Sequence, residues 1–168
     1  SKADSLFAEV DSCYNQLRKR ASLSSSSLSI VSELKSGSAW YVPGGCSTIG
    51  RLFNDACGRY AFAEDKHSGS IPLAFETVFD KAGDADVWTI KYNRDRDMTY
   101  SDLKADYIGY TGFKAFKTRN IYGCNTVKVP FYEETPFRPD YLLSDLIQIL
   151  HPEIGDLGGL RYFCKLNE

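Results

Sequence analysis

Histidine is almost missing from this chain: His67 and His151 are the only two among 168 residues, and Met98 is the single methionine. A thiol or hydroxyl nucleophile would therefore have only two imidazoles to choose from as its base. Excess basic charge is missing too. The net charge is −2, so there is no field to attract phosphates, which excludes a general nucleic-acid binder. Long apolar runs are absent. None approaches the ~20 residues that span a bilayer, and no secretory leader opens the chain. The sequence instead starts inside a helical pattern, as expected of a piece of a longer protein. The five cysteines (Cys13, Cys46, Cys57, Cys124 and Cys164) are odd in number, and their spacing matches no disulfide framework or zinc motif. They read as free thiols buried like small apolar groups. There is no internal repeat.

What is present fits a folded domain. Hydrophobic residues make up 43% and charged residues 25%. A chain of this length buries roughly 70% of the surface that it exposes when unfolded. Aromatic residues are plentiful at 14%, with 11 Tyr and 10 Phe. They serve either core packing or a pocket for a flat organic ligand, and composition leaves both open.

Apolar residues recur at three to four positions over Ser1–Ala21 (Leu6, Val10, Tyr14, Leu17), which predicts a helix. A serine-rich loop, Ser22–Ser27, ends it. Strands are expected at Leu28–Glu33, Ala39–Val42, Tyr60–Ala63 and Val87–Tyr92, with Ile121–Cys124 as a sheet edge. Helices are expected at Ser47–Cys57, Leu73–Ala82, Thr99–Asp106, Gly112–Thr118 and Pro139–His151. Such alternation implies an α/β domain with a mainly parallel sheet. Ligands of such sheets lie at the carboxyl ends of the strands. The loops there are Pro43–Ser47, Glu64–Ser70, Asn93–Met98 and Asn125–Thr135.

The stretch Trp40-Tyr41-Val42-Pro43-Gly44-Gly45-Cys46-Ser47-Thr48 runs from a strand through a double-glycine turn into a helix. Glycines let a backbone approach closely, and a helix N-terminus presents unpaired N–H groups. The turn is a ligand-contact loop, or simply a tight turn with Ser47 or Thr48 capping the helix. No Gly-Lys-Ser/Thr follows at P-loop spacing. Cys46, just before that helix, is placed where a thiol can become a nucleophile. Asn93-Arg94-Asp95-Arg96-Asp97 begins like a calcium loop, but Met98 and Lys104 stand where Gly and Glu belong; it reads as a solvated loop.

In order and spacing, these segments resemble the C-terminal lobe of the periplasmic substrate-binding proteins that serve ABC importers of iron complexes and cobalamin. Ser1–Ala21 resembles the end of the helix that links two lobes. Trp40–Gly45 with Ile49, Leu52 and Ala56 resembles the second lobe's first strand, turn and helix. Pro72–Phe79 followed by Asp84–Trp88 resembles a helix bearing a docking Glu that leads into a strand. Arg138-Pro139 with Leu142, Asp145, Leu146, His151 and Pro152 resembles the closing helix.

The resemblance implies a Rossmann-like three-layer lobe with a mainly parallel sheet over residues 22–168. Residues 1–21 would be the linking helix, and the N-terminal lobe would lie outside this sequence. It implies a non-enzymatic monomer that takes no cofactor. Its ligand would be a metal chelate: a ferric siderophore, haem or cobalamin. Its partners would be an ABC permease and the permease's ATPase, and its location the periplasm, tethered as a lipoprotein. Trp40, Tyr41, Gly45, Lys91, Tyr92, Tyr132 and Arg138 are the ligand-binding candidates, and Glu76 the residue that docks onto the permease. Cys46 departs from the family pattern. A small cysteine hydrolase built on it is the first rival reading, and an interaction domain that has lost transport the second.

Overall fold

In the computed structural model, which describes residues 1–168, the elements run α1 (Lys2–Ser22), β1 (Ser29–Ser32), β2 (Lys35–Ser36), β3 (Ala39–Pro43), α2 (Thr48–Asp55), β4 (Arg59–Tyr60), β5 (Ser70–Leu73), α3 (Phe75–Ala82), β6 (Val87–Tyr92), α4 (Tyr100–Asp106), a 3-10 turn (Ile108–Gly112), α5 (Lys114–Lys117), β7 (Ile121–Asn125), α6 (Phe131–Glu134), α7 (Pro139–Leu150) and β8 (Cys164–Lys165). The main sheet has the order β4-β1-β6-β7-β8. Its first four strands are parallel, and β8 closes it antiparallel to β7. A parallel sheet needs cover on both faces, and alternation along the strands shows how this one obtains it. Ser32, Thr89 and Lys91 face a layer built from Phe53 of α2 and Leu142 and Leu146 of α7. Trp88 faces the other way and stacks on Trp40, with Phe113 and Tyr110 against it. The lobe is thus three-layered with a mainly parallel centre.

Four expectations are corrected. Ala39–Val42 is a strand, but it does not belong to the parallel sheet. β3 pairs antiparallel with β2 and β5 in a separate three-stranded sheet, and the first parallel strand is β1. Residues 70–73, expected to lie in a loop and a helix start, form β5; Pro72 is tolerated because β5 is an edge strand. The strand expected at Tyr60–Ala63 stops at Tyr60, where the Ala63 N–H turns back to the Tyr60 carbonyl at 3.1 Å. Ile121–Cys124 lies inside the sheet rather than at its edge, since β8 covers it.

Helix α1 packs on α7 and buries only Val10 and Ala21 along its length. Tyr14 donates to Asp55 at 2.5 Å, and Arg20 pairs with Asp156. At the end of α7, His151 is enclosed, with Nε2 2.7 Å from the Ala56 carbonyl oxygen. The C-terminal tail is held through Asp145. Its buried carboxylate accepts the N–H groups of Arg161 (2.8 Å), Tyr162 (2.8 Å) and Phe163 (3.1 Å). Of the cysteines, only Cys124 is buried, and burial pushes its thiol up to about 12. Cys164, expected inside, is exposed. No helix is long and apolar enough to cross a membrane.

Candidate functional site

Strands β1, β6 and β7 point their carboxyl ends the same way, so the residues that end them gather at one rim. Glu33 follows β1, Lys91 is the next-to-last residue of β6, and Tyr132 lies in α6, beyond β7. They share a concavity of about 430 Å³ with Tyr41 and Pro43 of β3, Ser47–Ile49 at the start of α2, and Ser68–Ser70. Tyr41 is half exposed and Tyr132 61% exposed. The Lys91 ammonium sits 2.7 Å from a Glu33 oxygen and 5.3 Å from the centre of the Phe131 ring.

The double-glycine turn is needed for chain packing. A Cβ at Gly45 would overlap the carbonyl oxygens of Ala63 and Asp65, and one at Gly44 those of His67 and Gly69. The Gly44 N–H bonds to Gly69 O (2.9 Å), and the Cys46 N–H to His67 O (3.1 Å). Two walls of the concavity are thereby fastened together. Ser47 caps α2, accepting from the Gly50 N–H at 3.0 Å. Replacing Gly45 with Ala is expected to cost about 1–3 kcal/mol through forced backbone movement. It should also increase proteolysis within residues 63–69, which limited digestion followed by mass spectrometry would show.

Of the residues singled out in the sequence, Tyr41, Lys91 and Tyr132 come together here. Gly45 shapes the turn between Pro43 and Ser47 without lining the hollow. Trp40 is corrected: it is fully enclosed, and its indole N–H donates to Ser32 O at 3.0 Å. Alternation along β3 turns it inward where Tyr41 turns outward. Tyr92 is corrected for the same reason. It faces away from Lys91, packs over Gly123, and accepts the Met98 N–H at 3.0 Å. Arg138 is corrected as well: it pairs with buried Asp140 at 2.6 Å and lies 4.0 Å over the Tyr141 ring. Glu76 is exposed in the first turn of α3 with no side-chain partner.

Glu33, Ser68 and Ser70 are not among the residues singled out in the sequence, and Thr48 is expected there only as part of the turn and a helix cap. Glu33 carried a usable signal, because it ends an expected strand and strand ends are where such sites lie. Its backbone is left-handed, at φ 71°. That conformation costs a non-glycine residue of order 1–3 kcal/mol and persists only where the surroundings impose it. Here the Glu33 N–H donates to Thr89 O and the Trp88 indole N–H to Glu33 O, both at 2.9 Å.

Cys46 and His67 meet through backbone atoms, and no hydrogen bond joins the thiol to the imidazole. The His67 ring lies 2.9 Å from Asp65. In the Asn93–Met98 loop the charges pair with neighbours: Arg94 with Asp106, Arg96 with Asp102, and Asp97 with Lys128.

The family model described as "Periplasmic binding protein" matches residues 1–127. The chain belongs to this family. An uncharacterized lipoprotein of Methanocaldococcus jannaschii is 31% identical over 128 residues, covering 76% of this chain and 30% of its own length. The TroA-like periplasmic binding protein FepB of Veillonella parvula superposes with a TM-score of 0.69 at 14% identity, over 95% of this chain and 56% of its own. IsdE of S. aureus, solved with heme, superposes with a TM-score of 0.65 at 17% identity, over 88% and 57%. At such identities the likeness to the solved structures is one of fold. This periplasmic binding protein sequence spans 30%, 56% and 57% of the lengths of these three relatives.

Proposed function

We propose that this chain is the C-terminal lobe of a substrate-binding protein that captures a metal complex and hands it to an ABC permease driven by its ATPase. The complex would be a ferric siderophore, haem or a cobalamin-like ligand. The observation that carries this reading is the rim at the carboxyl ends of β1, β6 and β7. There a family member presents Tyr41, Tyr132 and a Lys91–Glu33 pair around one hollow. Aromatic faces with a few convergent polar groups suit a flat chelate. Haem bound to IsdE supports the ligand class. The partial coverage of relatives supports a second lobe facing this hollow, with α1 as the connecting helix. Family membership and the lipoprotein relative support a periplasmic, membrane-tethered location.

Calorimetric titration of the intact gene product, and of this 168-residue chain, with cyanocobalamin, haemin and a ferric siderophore tests the reading. Tight binding of one complex by the intact protein, with weak binding by the lobe alone, is expected. No heat with any of the three would overturn it. Glu76 is proposed as the permease-docking carboxylate, because it is exposed, fixed on a helix and unpaired. Charges at the rim of an interface steer encounter and register. Glu76→Lys is expected to cut ligand uptake into cells by about tenfold while leaving calorimetric affinity unchanged. Unaltered uptake would remove Glu76 from that role.

A further inference from the structure

Glu33 and Lys91 are the only charged side chains lining the hollow, and each is mostly shielded, at 25% and 19% exposure. The hollow therefore carries no net charge. Glu33 is no chance neighbour: its left-handed backbone, held from both sides by Thr89 and Trp88, sends the carboxylate to Lys91. Below the pair lies a small enclosed void lined by Ser32, Thr89, Phe53 and Phe131, and the buried Ser32 hydroxyl has no partner. The pair thus lines both the hollow and this void.

We infer that the Lys91–Glu33 pair selects a metal complex with an uncharged, amide-bearing periphery, and that Glu33 sets this preference. The inference rests on the reading of the hollow as the ligand site. A primary amide offers a carbonyl oxygen that accepts from the Lys91 ammonium and an N–H that donates to the Glu33 carboxylate. Both charges then keep a partner when water leaves. A ligand carboxylate satisfies Lys91 but is set against Glu33, and repulsion built into a site is how a wrong ligand is refused. The exposed hydroxyls of Thr48, Ser68 and Ser70 add uncharged hydrogen-bonding groups and no compensating cation.

The test uses the intact gene product and two probes, cyanocobalamin, with its rim of neutral amides, and haemin, with its propionates. The native protein is expected to bind cyanocobalamin at least about tenfold more tightly than haemin. Glu33→Gln keeps the size and the strained backbone. It is expected to tighten haemin by about tenfold and to weaken cyanocobalamin by a similar factor. Glu33→Gly relieves the left-handed strain and should shift the preference the same way, which separates the carboxylate from the backbone. Thermal melts of both variants report on folding. A preference for haemin in the native protein, or a ratio that neither variant moves, would overturn the inference while leaving the binding role intact. Binding of neither probe, nor of a ferric siderophore, would overturn both.

Discussion

Replacing Asp145 with alanine is expected to destabilise the lobe by about 3–5 kcal/mol, because each buried donor left without a partner costs about 1–3 kcal/mol. Three N–H groups, those of Arg161, Tyr162 and Phe163, lose their acceptor at once, and Tyr162 and Phe163 are themselves buried. A domain stable by about 5–15 kcal/mol would survive, with a large part of its margin gone. Burial raises the Asp145 carboxyl above its ordinary value, against the lowering effect of the three N–H groups. The sign follows. The native state holds this proton to higher pH than the unfolded chain does, so stability from this group falls as pH rises from the unfolded value through the raised native one. Acid denaturation is therefore not expected to begin here. Asp145→Asn keeps an acceptor oxygen and removes the buried charge, so it should lie between the native protein and the alanine variant. Urea titrations would check the order. A loss below about 1 kcal/mol for Asp145→Ala, the level of an ordinary substitution, would sink the account.

Trp40→Ala is the second large effect, expected at about 3–5 kcal/mol, as for other fully buried aromatic side chains. The ring stacks on Trp88, with centroids 5.8 Å apart, and touches Phe75, Tyr110 and Phe113. Its removal also leaves the Ser32 carbonyl without its indole donor. The consequence reaches the hollow, since β3 carries Trp40 on one face and Tyr41 on the other. Ligand affinity should fall in this variant although Trp40 itself is enclosed, whereas Trp40→Phe should restore much of both properties. Chemical denaturation beside ligand titration would separate the two. Both tryptophans are fully enclosed, so acrylamide should quench neither efficiently, and ligand binding should leave the emission maximum in place.

Elements whose apolar residues repeat over long stretches were legible before the structure: α1, α7 and β6 stand where periodicity puts them. Sheet membership was not. Val42 and Ile30 are equally apolar, and nothing local tells a strand of the parallel sheet from one that pairs antiparallel with β5, whose register depends on residues 70–73. Pro72 pointed toward a helix start, where its missing N–H is harmless. An edge strand offers the same harmlessness, and the sequence between Ser70 and Leu73 suits both. At the rim, Tyr41 and Lys91 followed from the family resemblance, while Trp40 and Tyr92 failed because they neighbour rim residues along a strand, where alternate side chains face opposite ways. Glu33 ends an expected strand, but the turn of its carboxylate toward Lys91 depends on a positive φ, which no residue type other than glycine or asparagine advertises.

Helix α1 rests on α7, so the first element of this chain docks against one that begins more than a hundred residues later. Contacts this distant in sequence form late, since a long loop must close before they stabilise anything. During synthesis α1 therefore lacks its main partner until α7 has emerged and folded. Its outer side still shows Leu6 and Phe7 after docking. Slowing translation just before residue 139 should lengthen that window, and more rapid delivery of residues 139–150 should shorten it.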